Sequence, residues 1–346
     1  MGGGDTTSTS TSKTAPSGTY IGAAAQGDYA KFTVNNNQVT YEFTGYWATQ
    51  WCGGTCSGTA DLEAYNNGQT FWKVLQNGQK VADMLLANNL GLAAIKEGSN
   101  IALIIGLQHS ADPTQTSVVG NYIYLELKTT GLILADLTVN NDGTFTYYDL
   151  TSNTSGSGCW ALDTQNKVIQ AKLGISNCSS YNPSNDGVDV RVYVKPGTNR
   201  KAIVVDYADG SGFGIGLEKV AVASEFDNTK TYNIEYFSYD VTNNSPELGT
   251  SKLEYKNNQW QYVWQGGGNT YCAVVQFDQD CNGNNYPGLT CATVGNYDSN
   301  TGNCDATGST NKVHVFYDPT DKYYFAISKD NTGNYYIDIG VIVSTQ

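Results

Sequence analysis

The sequence predicts an all-β protein, made of three tandem antiparallel β-sandwich or small β-barrel domains. Three observations lead there. Tyrosine (25) and glycine (38) are abundant and only 15% of residues are charged. The β-branched and aromatic runs lie between Gly, Asn and Asp turns, which favours strands over helices. One strand–turn–strand pattern also recurs three times along the 346 residues. A period of about one domain means tandem modules rather than a solenoid. Finally, there are eight cysteines, an even number, in a Gly/Asn/Thr-rich chain, which points to disulfides and an oxidising compartment.

Residues 1–17 are polar and Gly/Ser/Thr-rich, and read as a flexible tether. The three domains are predicted at 18–108, 119–219 and 229–346. Each opens on a tyrosine, Tyr20, Tyr122 or Tyr232. Each then runs strand, Asn-rich turn, strand, with NNN, NNDG and KNN as the turns. Asn and Gly supply the positive φ that tight hairpins need. The closing strands LIIGLQ, FGIGLE and YIDIGV bring Gly106, Gly216 and Gly340 into register. In the first domain ADMLLANNLGLAAI is read as strands, with a short helix as the alternative. Short links join the domains, QHSADPTQTSV at 108–118 and EKVAVASEFDN at 218–228.

The cysteines are assigned by repeat logic. Cys159 and Cys178 are nineteen apart, as are Cys272 and Cys291, and both pairs follow the first hairpin of their unit. The expected bridges are therefore Cys159–Cys178 and Cys272–Cys291. Cys281–Cys304 takes the remaining two, and Cys52–Cys56 lies in WCGGTC, where two glycines let the chain bend back. The spacings do not suit a zinc site. Trp160 is expected to pack on its neighbouring disulfide.

Around Cys281, the order Asp278-x-Asp280-x-Asn282-Gly283 matches the first half of an EF-hand-type loop. Alternate oxygen ligands and a Gly bend suit a hard cation, so Asp278, Asp280 and Asn282 are candidate calcium ligands. Leu289 stands where the bidentate Glu would be. No other cofactor is implied.

Tyr46, Trp47 and Trp51 flank the WCGGTC loop and are candidate ligand-binding residues. An aromatic platform there would suit sugars. Trp260, Tyr262 and Trp264 alternate along one strand and read as core. The two histidines, His109 and His314, lie in a link and a strand, away from any plausible nucleophile. No helix follows the glycine-rich DGSGFGIG, so it reads as a hairpin turn rather than a phosphate loop. No catalytic residue is nominated.

The formal net charge is −13 and the pI is near 4.5. That field repels a phosphate backbone and makes nucleic acid a poor partner. No apolar run reaches the length of a membrane span. The opening MGGGDTTSTSTSKTAPSG resembles the start of a mature bacterial lipoprotein, with Met1 standing where that class carries its lipidated Cys. The resemblance covers eighteen residues and implies an N-terminal lipid anchor. Met1-Gly2 with Thr6 also fits the myristoylation pattern, against which the disulfides argue.

The resulting expectation is a non-enzymatic protein at the cell surface or outside the cell, with the periplasm as the alternative compartment. Its work would be binding, adhesion or assembly with a cell-surface protein or glycan. A module binding a glycan or small apolar ligand is the second reading. A secreted carboxylate-dependent hydrolase is the third.

Overall fold

The computed structural model describes residues 13–24, 28–97, 100–128, 131–195, 200–240, 245–329 and 334–346. The chain is all-β. Its first sheet is a closed eight-stranded barrel of consecutive neighbours. Its strands are Gly18–Ala24 (β1), Asp28–Asn35 (β2), Gln38–Gly45 (β3), Thr55–Ala64 (β4), Phe71–Gln76 (β5), Gln79–Leu86 (β6), Leu90–Glu97 (β7) and Asn100–Gln108 (β8). ADMLLANNLGLAAI thus forms parts of β6 and β7. A short helix, Tyr46–Cys52 (α1), joins β3 to β4.

The second barrel repeats the plan with Gly120–Lys128 (β9), Gly131–Val139 (β10), Thr144–Asp149 (β11), Thr154–Asp163 (β12), Val168–Leu173 (β13), Val190–Lys195 (β14), Ala202–Tyr207 (β15) and Gly212–Glu218 (β16). The third uses Thr231–Asp240 (β17), Ser245–Lys256 (β18), Gln259–Gly266 (β19), Asn269–Gln279 (β20), Asn285–Asp298 (β21), Lys312–Asp318 (β23), Tyr323–Lys329 (β24) and Tyr335–Thr345 (β25). It closes through β20–β21 and β17–β25 pairing, and the short Asn303–Asp305 (β22) hangs on β21.

Local chemistry explains the repeat. The β2–β3 turn has Asn36 and Asn37 at φ 49° and 61°, and the β18–β19 turn has Asn257 and Asn258 at 51° and 61°. Two consecutive positive-φ residues match the right-handed twist of a two-residue hairpin. The opening tyrosines point into the barrels and anchor on backbone. Tyr20 Oη donates to Ala87 O at 2.6 Å and Tyr122 Oη to Val118 O at 2.8 Å, while Tyr232 Oη accepts from Asp227 N at 2.7 Å. The closing glycines make room for their neighbours. A Cβ on Gly340 would lie 2.2 Å from Glu235 O, and one on Gly106 2.6 Å from the Phe32 ring.

Period-two alternation gives every barrel two faces. Inward residues such as Phe32, Trp160 and Tyr262 form three separate interiors. Outward residues of all three barrels, among them Ile21, Ile105, Ile123, Phe213, Phe237 and Phe325, merge into one shared core. Polar clamps surround it. The Glu235 carboxylate of β17 accepts from Gln69 N, Thr70 N and Thr70 Oγ1, each at 2.6 Å. Arg200, 4% exposed, donates from Nε to Glu218 O at 2.7 Å and reaches across to Tyr317 O and Gly288 O at 3.2 and 3.3 Å.

All eight cysteines are paired. Cys52 joins Cys56 and Cys159 joins Cys178. The third unit overturns the expected pairs, because Cys272 joins Cys304 and Cys281 joins Cys291. Strand register is the reason. On the β20–β21 ladder Cys272 faces Gly295, whereas Cys291 faces Gln276. Those sites are four residues apart, about 13 Å at the usual rise per residue, beyond disulfide reach. The true counterpart of Cys178 is Cys304, since each follows the fifth strand of its barrel. That strand has 14 residues in the third barrel and 6 in the second. Trp160 also departs from expectation. It is inward while Cys159 is outward, and its Nε1 donates to Asn140 O and Thr144 O at 3.0 Å.

Candidate functional site: two barrel lumens

The three interiors differ in how far side chains fill them. The second is nearly full, with a cavity of about 50 Å³ among Tyr124, Phe145, Tyr147, Trp160 and Tyr207. The first keeps about 310 Å³ and the third about 540 Å³. Between the first two barrels, one substitution within the repeat accounts for part of the difference. Tyr124 faces Gly216 across the closing pair, where the first barrel has Gly22 facing Gly106.

In the first barrel the cavity lies beneath α1. Gly45 offers that helix no side-chain cap. Buried Asp28 supplies the acceptor instead, taking Ala48 N at 3.2 and 3.3 Å. Gly53, at φ 69°, ends the helix in the left-handed conformation, and Cys52–Cys56 ties it to β4. Half-buried Trp51 lines the cavity with Tyr41, Phe43, Val74, Met84 and the disulfide. Gln76 is the one amide side chain in that lining.

In the third barrel the lining is aromatic and acidic. Gly249 and Gly340 flank Tyr236, and a Cβ on Gly249 would lie 2.3 Å from its ring. Glu247 and Asp338 both pair with Ser238 across neighbouring strands, which sets them on one inward row. Burial pushes the Asp338 carboxyl up to about 6, Glu247 adds to the rise, and a hydrogen bond with Ser238 opposes it. Burial also lifts the Tyr262, Tyr317 and Tyr324 phenols well above their ordinary range, so they stay neutral.

The sequence-predicted residues fall as follows. Trp51 lines the first cavity. Tyr46 and Trp47 lie in α1, and their side chains are outside the described residues. Asp278 turns away from its loop to accept from Val222 N, Ala223 N and Gly288 N at 2.7–2.9 Å. Asp280 accepts from Asn282 N, Asn284 N and Asn284 Nδ2 within its own turn. Exposed Asn282 belongs to that turn. The two carboxylates thus serve different backbone segments. Among the described residues no three His, Cys, Asp or Glu side chains converge on a metal-sized space. Sequence reasoning missed Asp338 and Glu247. The signal was an acid at an inward position of YYIDIG, where strand alternation calls for an apolar residue.

Fold and site together define a disulfide-stapled, three-barrel β-protein with two open lumens. No protein-family model matches the chain, and no curated protein sequence does. Several solved structures are similar to it. Transferrin binding protein B of Haemophilus parasuis, as a double mutant, is 7% identical, over 91% of this chain and 65% of that one, at a TM-score of 0.26. The isotype 1 protein of Neisseria meningitidis is 9% identical, over 91% and 66%, at 0.30. A DUF3598-family protein of unknown function from Nostoc punctiforme is 10% identical, over 67% and 100%, at 0.25. The chain spans about 65% of the Haemophilus parasuis protein it matches. The superposition is partial at these scores, and no binding property is transferred from it. No helix among the described residues is long and apolar enough to cross a membrane.

Proposed function

We propose that this chain is a non-enzymatic binding protein of the cell surface or extracellular space. In this reading the first barrel holds a small apolar molecule with one hydrogen-bonding end. The observation that carries it is the 310 Å³ cavity, walled by Phe32, Phe43, Trp51, Val74 and Met84 beneath the disulfide-clamped helix. That volume is at the lower end of small-molecule pockets, and an apolar lining with few polar groups is their usual character. Gln76 and Tyr41 are the groups that would orient the polar end. Four disulfides support an oxidising compartment.

The test is titration of the full chain with decanol, with N-acetylglucosamine as the glycan arm, followed by tryptophan fluorescence and melting temperature. Decanol is expected to bind once, saturably, and to raise the melting point. Ala93→Phe, which fills the cavity, is expected to abolish binding with the circular dichroism unchanged. Binding of the sugar in place of decanol, or undiminished decanol binding by folded Ala93→Phe, would defeat the reading.

A further inference from the structure

The third lumen carries a chemistry that the first lacks, and the inference from it is independent of the apolar site. Its rings form a continuous series from rim to floor. Tyr271, 41% exposed, stacks on Trp264 at 5.6 Å, and Trp264 stacks on Tyr262 at 5.3 Å. Tyr262 stacks on Tyr324 at 5.5 Å. The wall is notched beside Tyr271. The β20–β21 ladder stops at Cys272–Gly295 and the β21–β23 ladder at Thr293–Lys312. Exposed Glu247 and deeper Asp338 face the same space. Asp338 Oδ1 is buried with no hydrogen-bond partner. No Lys, Arg or His stands among the described residues lining the cavity.

Ring faces carry negative potential, and a carboxylate in a confined space needs a positive partner. A neutral apolar molecule would satisfy the rings and leave the acid uncompensated. A hard metal ion is favoured by several converging carboxylates, and among the described residues no three acidic, His or Cys side chains converge there. A cation with an apolar periphery satisfies both demands. We propose that the third barrel binds a small methylated ammonium ion, with its methyl groups against Trp264 and Tyr262 and its charge opposite Asp338.

The groups facing Asp338 are Tyr236 and Ser238 on β17, Glu247 on β18, Tyr262 on β19, Tyr317 on β23 and Tyr324 on β24. Burial holds the phenols among them far above neutrality, so they stay uncharged. Binding therefore strengthens as pH rises through about 6, where Asp338 ionises.

Calorimetric titration of the full chain at pH 7.5 tests this with choline and its uncharged isostere 3,3-dimethylbutan-1-ol. Choline is expected to bind once and at least about tenfold more tightly than the isostere, as a desolvated cation–π site would give. Asp338→Asn should lose about tenfold in choline affinity while remaining folded, and acidification to pH 5 should weaken choline but not the isostere. Equal affinity for the two compounds, no binding of either, or unchanged choline affinity in folded Asp338→Asn would overturn the assignment. Trp264→Ala should weaken choline independently of the acid.

Discussion

Asp338 is a carboxyl whose surroundings oppose its ionisation, and that makes its cost measurable. Its folded value is about 6 against an ordinary 3.8. Between those values the folded chain holds more protons than the unfolded one, so stability falls as pH rises across the window. Above about 6 the penalty is fully present. Asp338→Asn is therefore expected to melt higher than the parent at pH 7.5, with the gap closing towards pH 4. A lower melting point at pH 7.5, or a gap that widens on acidification, would contradict it. A residue that weakens the fold yet favours a bound cation is the usual signature of function over stability. Glu235 is the opposite case. It satisfies three donors at a barrel interface. Glu235→Ala should cost about 2–4 kcal/mol in denaturant unfolding, because buried N–H groups lose their acceptor. Removing Glu63, which pairs with Lys73 on the surface, should leave the unfolding midpoint almost unchanged. Similar losses for both would contradict this view of the interface.

At the scale of elements, two turns of the same shape are expected to respond oppositely to one substitution. Asn258 is an exposed hairpin residue at φ 61°. Asn258→Gly should stabilise by a few tenths to about 1 kcal/mol, since glycine adopts that region freely. Asn37 has the same φ, but its side chain accepts from Ala15 N at 2.6 Å and donates to Lys13 O at 3.2 Å. Asn37→Gly should therefore destabilise, and thermal melts of the pair decide the matter. Equal shifts would mean that the tie to residues 13–15 contributes nothing. The turns themselves were legible, because their residue types carry the positive φ. Strand alternation was legible wherever a run stayed regular, as in Trp260–Tyr262–Trp264. The disulfides of the third barrel were not. Counting residues between cysteines ignores strand length, and a fifth strand of 14 residues moves Cys304, not Cys291, into the place that Cys178 holds. The lumens were illegible for a related reason. Whether a barrel is full depends on which inward side chains meet across it, as Tyr124 and Gly22 show, and no single strand contains that information.

For the whole molecule the question is whether three barrels behave as three domains. Each has its own interior, so each has the makings of independent stability. Their outer faces, however, share one apolar core to which all three contribute. Tyr29 meets Tyr193 at 5.8 Å between the first and second barrels, and Lys195 donates to Tyr323 Oη at 3.1 Å between the second and third. Exposing that core in one barrel would uncover apolar surface on the other two. The hydrophobic cost of partial unfolding therefore falls on the whole assembly, and the expected outcome is one calorimetric transition with matching calorimetric and van't Hoff enthalpies. Phe325 lies on β24 within the shared core. Phe325→Ala should cost about 3–5 kcal/mol and lower the single transition as a unit. Hydrogen exchange should then quicken on β1, β8 and β9 as well as on β24. Three resolved transitions in the parent, or loss of protection confined to the third barrel in the variant, would show that the units are joined in sequence but independent in energy.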